Sequence, residues 1–229
     1  EEEATLGTDP ALSDTDGDGY TDFEESSAGS DPLDGSSVIY AGGWPYNVDK
    51  ESVGDPGWET SASAGSIVPN FTAYDQHGDL VQLYDFAGRD KLVVLDMGTP
   101  WCTPCKALAA FLSNGDMNEL VWNDEGDYYP WWKSEYEDLR RMIEDEEIYW
   151  ITVLFSESTS SGPTDQSDCE DWESAFPNEH IPVLADSNLD LHGYLAIESF
   201  PAISIADSDM NLVVYSPSGP YDALRHLFP

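Results

Sequence analysis

The sequence predicts an α/β domain preceded by a small acidic loop segment, and three observations predict it. Apolar runs of strand length at residues 91–96 (KLVVLD) and 148–155 (IYWITVLF) are separated by helix-forming stretches such as 107–112, an alternation that builds a sheet flanked by helices. The first run leads through a Pro-containing turn into Trp101-Cys102-Thr103-Pro104-Cys105-Lys106, which places a Cys-x-x-Cys at a helix start. Residues 14–25 read DTDGDGYTDFEE, with acids at alternating positions and a glycine among them.

Composition bounds the function. The chain has 229 residues, 46 acidic against eight basic, a formal charge of −38, and 40% hydrophobic content. That length fits one to two domains, and the apolar content suffices for a core. Such an excess of negative charge repels nucleic-acid backbones and anionic lipid surfaces, so no nucleic-acid partner is expected. Eight Trp and 12% aromatic content argue for a folded domain with an anionic surface over a disordered acidic tail. No apolar run approaches the roughly eighteen residues of a membrane span. Glu1-Glu2-Glu3 has neither the basic nor the apolar region of a signal peptide, and no direct membrane insertion is expected. Three cysteines are too few for a disulfide-stapled scaffold.

The acidic segment comes first. Asp14, Asp16 and Asp18 stand at positions 1, 3 and 5 of a calcium-type loop, Gly19 at 6, Asp22 at 9 and Glu25 at 12. Carboxylates spaced this way converge on one hard cation. Gly19 permits the sharp turn, the Tyr20 carbonyl adds an oxygen, and Glu25 closes the sphere with two, so the expected cofactor is Ca2+. An acidic solvated linker would need neither the glycine nor the fixed spacing. Gly7-Thr8-Asp9-Pro10 recurs as Gly29-Ser30-Asp31-Pro32 at an offset of 22, which also lays Glu2-Glu3 on Glu24-Glu25. Glu3 then stands at position 12 of a preceding loop, and an upstream repeat array or surface anchor is expected. Over residues 1–36 the chain resembles the thrombospondin type 3-like calcium repeats of secreted bacterial proteins, which implies a spacer or tether. Pro10 interrupts any helix of EF-hand length ahead of the loop, unlike the arrangement of a calcium sensor.

Residues 37–65 are rich in Gly, Ser and Pro with scattered aromatics (Tyr40, Trp44, Tyr46, Trp58), and read as a linker packing in part on the next domain, 66–229. Within that domain, 69–74 and 80–83 read as two short strands joined by a Gly-containing turn in which His77 is a turn residue. Residues 91–96 form a central strand. Residues 113–147 form a long connection with Tyr128-Tyr129-Pro130-Trp131-Trp132 and an amphipathic helix over 133–146; the aromatics either line the active-site rim or pack beneath the insertion. Then follow a core strand at 148–155, a short one at 181–185, turn and strand at 198–205, a hairpin completed by 211–215, and a closing helix at 221–227.

At a helix start Cys102 lies beside unpaired backbone N–H groups and the positive end of the macrodipole, which favour its thiolate. Cys105, one turn on, is within reach to form or resolve a disulfide, and Pro104 sits where a missing N–H costs nothing. A zinc site would need a second ligand pair, and the sequence has no other CxxC, CxH or HxxxH. Cys169 stands among Asp168, Glu170 and Asp171, which raise a thiol pKa, and reads as inert packing. His180 and His192 read as structural.

Residues 66–229 resemble the thioredoxin superfamily, in particular the extracytoplasmic thioredoxin-like reductases of the TlpA/ResA type within the redoxin group. The resemblance rests on the WCTPCK stretch, which differs from the familiar WCGPCK at Thr103, on Asp96 six residues before Cys102, and on Pro201. It implies a thioredoxin-like fold: a central mixed sheet flanked by helices, here with an N-terminal strand extension and a helical insertion. It implies a redox-active Cys102–Cys105 disulfide with no organic cofactor. Asp96 becomes a buried carboxylate that takes the Cys105 proton, although a water-exposed strand-end residue is the other reading. Pro201 becomes a cis-proline facing the dithiol, or otherwise a trans-proline opening an edge strand. Trp101 and Phe200 become substrate-contacting residues, with Phe200 offering backbone groups to an extended peptide. Residues 148–155 lack the Lys that many thioredoxins pair with the buried Asp.

The expected function is an extracytoplasmic thiol–disulfide oxidoreductase acting on protein or peptide thiols and disulfides, in a bacterial secreted, cell-surface or periplasmic setting. Thr99-Pro100-Trp101-Cys102 also fits the TxxC of peroxiredoxin-like peroxidases, but Leu95 replaces the expected Pro. A calcium-dependent adhesion module using a redoxin fold for binding is the alternative from another class.

Overall fold

The computed structural model describes residues 7–157 and 162–229. The acidic segment folds around a short helix, α1 (Asp22–Ala28), capped by Thr21 and Glu24 in a reciprocal capping box and closed by left-handed Gly29. Two short strands, β1 (Thr72–Tyr74) and β2 (Leu80–Gln82), pair antiparallel as the spacing around Gly78 predicts. The central strand β3 (Leu92–Gly98) leads into α2 (Thr103–Asn114), and α3 (Leu139–Glu144) precedes β4 (Ile148–Leu154). After it come α4 (Gln166–Ala175), β5 (Val183–Ala185), α5 (Asp190–Leu195), β6 (Ala202–Ala206), β7 (Leu212–Val214) and α6 (Tyr221–Leu227).

Strands β3 to β7 form one mixed sheet in the order β5-β4-β3-β6-β7. β3, β4 and β5 run parallel, and β6 and β7 add antiparallel to them. This topology, with helices on both faces and the dithiol between β3 and α2, is the thioredoxin-like fold. The period of two along β3 divides the core. Val93, Leu95 and Met97 face a layer built from β1, β2, α5 and the chain preceding them, while Val94 faces α2, the 113–147 insertion, α3 and α6. Both sheet edges are covered: Val68 and Leu212 exchange backbone bonds with Met210 and Ser66 beside β7, and the Gln76 amide bonds Ile181 and Val183 beside β5.

One expectation is sharpened and one corrected. Residues 37–65 pack in part on the domain, as expected, and the packing is anchored by Tyr40, Trp44 and Tyr46, which are buried in its core, whereas Trp58 is 40% exposed. The Tyr40 hydroxyl donates to Asp85 Oδ2 at 2.5 Å, the Trp44 indole to Asp75 Oδ2 at 2.7 Å, and Lys50 meets Asp85 Oδ1 at 2.7 Å in a buried ion pair. The segment follows no regular period because its anchors are polar tips on aromatic rings, each seeking one buried carboxylate. The helix expected over 133–146 is broken. Residues Ser134–Tyr136 form a 3₁₀ turn, and only Leu139–Glu144 is α-helical. Tyr136, Leu139 and Ile143 keep the helical spacing of buried positions, but Trp132 and Tyr136 pack edge-on beneath the insertion, and Glu146 at φ 51° ends the last turn.

Candidate functional site

Cys102 is the N-cap of α2, and its Sγ accepts from the Cys105 N–H at 3.1 Å. Pro104 lies in the first turn. Cys102 and Cys105 are joined as a disulfide, and both are largely buried. The adjoining Trp101 is 57% exposed and meets the half-buried Phe200 edge-on, with ring centroids 5.1 Å apart. Phe200–Pro201 is a cis peptide bond, as the resemblance implied. Phe200 also packs against the apolar cluster that holds both cysteines, so the proline loop borders the dithiol. The Phe200 N–H and carbonyl make no hydrogen bond among the described residues.

Asp96 is buried, which settles the two readings of it against exposure. Burial pushes its carboxyl up to about 7, opposed by a hydrogen bond from the Trp150 indole to Oδ2 at 3.3 Å. Oδ1 is buried without a partner among the described residues. Asp96 and Gly98 share one face of β3, and a Cβ at Gly98 would stand 3.5 Å from Cys105 Sγ. Gly98 therefore lets the second cysteine approach the strand, with Asp96 one pleat deeper on the same face. Sequence reasoning passed over both Gly98 and Trp150. A glycine closing a strand pattern was a readable sign of close approach. Trp150 gave no sign, because it reads as one more apolar strand residue.

Of the insertion's aromatics, Tyr129, Trp131 and Trp132 pack beneath it, and Tyr128 is exposed. Trp132 and Tyr136 are buried in the cluster that backs α2, where Trp132 packs edge-on against Phe111 at 4.8 Å. Cys169 is fully buried in the same cluster as the dithiol, and its thiol is pushed up by burial and by Asp168, Asp75, Asp165 and Glu170. His192 packs on Phe155 at 4.5 Å, and His180 lies 3.8 Å from Glu179.

The second site is the acidic loop. Ligand atoms of Asp14, Asp16 and Asp18 lie within 4.8 Å of one another. Loop N–H groups shape them: Gly17 and Gly19 donate to Asp14, Asp18 to Asp16, and Tyr20 to Asp18. Glu25 is fully buried with neither carboxylate oxygen partnered among the described residues, and one Asp16 oxygen is orphaned likewise. Burial, then Asp16, Asp18, Asp22 and Asp14, push the Glu25 carboxyl up to about 7, which places these acids around it. Buried, unpaired carboxylates facing one another are costly unless a cation sits among them, so the residues fit a divalent ion. Asp22 is placed differently: its two oxygens accept from the Thr15 N–H and hydroxyl, both at 2.8 Å, so it braces the loop. Tyr20 has an exposed ring and stands at the expected position 7.

The repeat is structural as well as sequential. Gly7 and Gly29 both adopt φ 83°, and the Asp9 and Asp31 N–H groups donate to Thr15 and Ser37 hydroxyls, again 22 residues apart.

Residues 14–35 match the family model of the bacterial TSP3 repeat. No curated protein sequence matches the chain. Among solved structures it is similar to the thioredoxin domain of a thiol-disulfide oxidoreductase from Bacteroides vulgatus, at 20% identity and TM-score 0.45 over 74% of this chain and 100% of that one. It is also similar to a secreted Mycobacterium tuberculosis disulfide oxidoreductase, at 17% identity and TM-score 0.42 over 62% of this chain and 80% of that one. A third is the pneumococcal exposed lipoprotein thioredoxin of Streptococcus pneumoniae, at 21% identity and TM-score 0.42 over 69% of this chain and 97% of that one. The fold assignment rests on the chain's own strand order and pairing.

Proposed function

We propose that the chain is an extracytoplasmic thiol–disulfide oxidoreductase for protein or peptide substrates, carried behind a calcium-binding repeat that serves as spacer or tether. The observation that carries this reading is the dithiol itself: a Cys102–Cys105 pair at the N-terminus of α2, bordered by Trp101 and the Phe200–Pro201 loop, with Asp96 buried beneath.

In the reducing direction Cys102 is the attacking thiolate, favoured by the N-terminal end of α2. It displaces one substrate sulfur and forms a mixed disulfide with the other. Cys105 then gives its proton to Asp96 and attacks Cys102 Sγ, and the second substrate sulfur leaves. Two electrons pass from dithiol to substrate, and the reverse sequence oxidises a substrate dithiol. The Trp101 face and the free Phe200 backbone groups suit an extended peptide at the dithiol.

Asp14, Asp16, Asp18 and Glu25 would hold Ca2+, with the Tyr20 carbonyl completing the set and Asp22 bracing it through Thr15. Bound there, the ion supplies positive charge to a cluster of carboxylates. Millimolar-range calcium sites of this kind are filled outside the cell, which supports a secreted, cell-surface or periplasmic setting.

Insulin-disulfide reduction by the parent and by Cys102→Ser tests the reading. Activity in the parent and its loss in the variant are expected. Equal behaviour of the two would favour a binding module on a redoxin fold.

A further inference from the structure

We propose that Trp150 is a positioning residue for the proton transfer that accompanies resolution: its indole N–H holds one oxygen of Asp96 and leaves the other for Cys105. This rests on the oxidoreductase reading above. Trp150 is fully buried in β4, and its Nε1 donates to Asp96 Oδ2 at 3.3 Å. Oδ1, also buried, has no partner among the described residues. The two oxygens are thus unlike. One is held by a neutral donor, and the other has the capacity to accept a proton.

The surroundings of Asp96 give this pairing its weight. From β4 it is met by Trp150 and, in register, by Thr152, and from β6 by Ile203; Gly98, two residues on along the same face of β3, is where α2 brings Cys105 closest to the strand, a Cβ there standing 3.5 Å from Sγ. No Lys, Arg, His or second carboxylate contributes to its titration, which burial raises and the Trp150 bond alone opposes. A lysine in hydrogen-bond reach would hold the carboxylate ionised through charge. A neutral indole fixes its orientation and lowers it only modestly, which leaves a base that titrates near neutrality.

The step balances without a further reactant. The Cys105 S–H bond breaks and its proton passes to Asp96 Oδ1. The resulting thiolate attacks Cys102 Sγ, the Cys102–Cys105 bond forms, and the bond between Cys102 and the substrate sulfur breaks, releasing a substrate thiolate.

The test is the pH profile of insulin-disulfide reduction by the parent and by Trp150→Phe. In the parent the rate rises with pH through a midpoint near 7. Loss of the donor disfavours the carboxylate, so the midpoint moves upward by about one pH unit. In an Asp96→Asn background, Trp150→Phe produces no further shift. An unmoved midpoint in an active Trp150→Phe protein overturns the proposal alone. A parent with no Cys102-dependent exchange overturns the oxidoreductase reading as well. Should Trp150→Phe fail to fold, the indole N–H resonances of the oxidised parent decide the matter. One of them titrates near pH 7 and ceases to do so in Asp96→Asn; eight pH-independent indoles would overturn the proposal.

Discussion

Cys169 shares an apolar cluster with Cys102 and Cys105, yet its side chain has the opposite chemistry. It is fully buried, carries no helix-terminus donors of the kind that serve Cys102, and faces Asp168, Asp75, Asp165 and Glu170, so its thiol is pushed upward. In reduced native protein at neutral pH, iodoacetamide followed by peptide mass mapping is expected to label Cys102 and to reach Cys169 only after denaturation. Labelling of Cys169 at the Cys102 rate would refute this. The same contrast explains what the sequence made readable at this scale. Cys102 and Cys105 could be picked out beforehand from their identity and spacing at a helix start, and Asp96 and Pro201 from the thioredoxin resemblance. Trp150 could not, because its role depends on the β3–β4 register. Pairing Asp96 with Thr152 sets Trp150 diagonally across from the carboxylate, and no local pattern encodes that register.

Adjacent glutamates in α1 are placed differently, one buried among the loop acids and one capping the helix. Glu25 is fully buried near Asp14, Asp16 and Asp18 with both oxygens unpartnered among the described residues, whereas Glu24 is exposed and accepts from the Thr21 N–H at 2.8 Å and hydroxyl at 2.7 Å. Glu25→Gln is therefore expected to weaken calcium binding on the order of tenfold or more, since affinity follows ligand charge. Glu24→Gln should leave it nearly unchanged while fraying the helix start. Terbium luminescence sensitised by Tyr20 and competed by calcium measures both; equal losses in the two variants would contradict the assignment. The convergence of Asp14, Asp16 and Asp18 was legible because it follows from chain spacing, whereas the bracing of Asp22 by Thr15 was not. Nor was the anchoring of residues 37–65, because their order comes from tertiary partners. Lys50, lying over the nearby Tyr46 ring at 3.9 Å, is held by Asp85 from a segment 35 residues away. Removing one member of such a buried pair typically costs about 3–5 kcal/mol, so the segment contributes to the domain's stability as well as its length. The broken helix at 134–144 shows the same override, with aromatic packing deciding the backbone against a helical pattern.

Across the whole molecule, the charge of −38 divides between two physical situations. Residues 1–36 carry twelve acids and no base, and there Asp14, Asp16 and Asp18 converge within 4.8 Å of one another. Residues 37–229 carry 34 acids against all eight bases. Five of those bases are already engaged in ion pairs: Lys50, Lys91, Lys133, Arg140 and Arg141. The remaining excess has no internal counter-charge and repels itself across the surface. Unfolding lets these charges move apart, so repulsion lowers stability, and mobile ions relieve it over a Debye length of about 10 Å at 0.1 M salt. With calcium held saturating, the melting temperature is expected to rise by at least about 5 °C between low salt and molar NaCl, corresponding to roughly 1–2 kcal/mol for a chain of this size. Most of the rise should occur below about 0.5 M, where screening is nearly complete. A rise that continued in proportion to concentration and was larger with sulfate would instead indicate solute exclusion from the surface. A melting temperature that does not move would show that the acids are spaced widely enough for water alone to separate them.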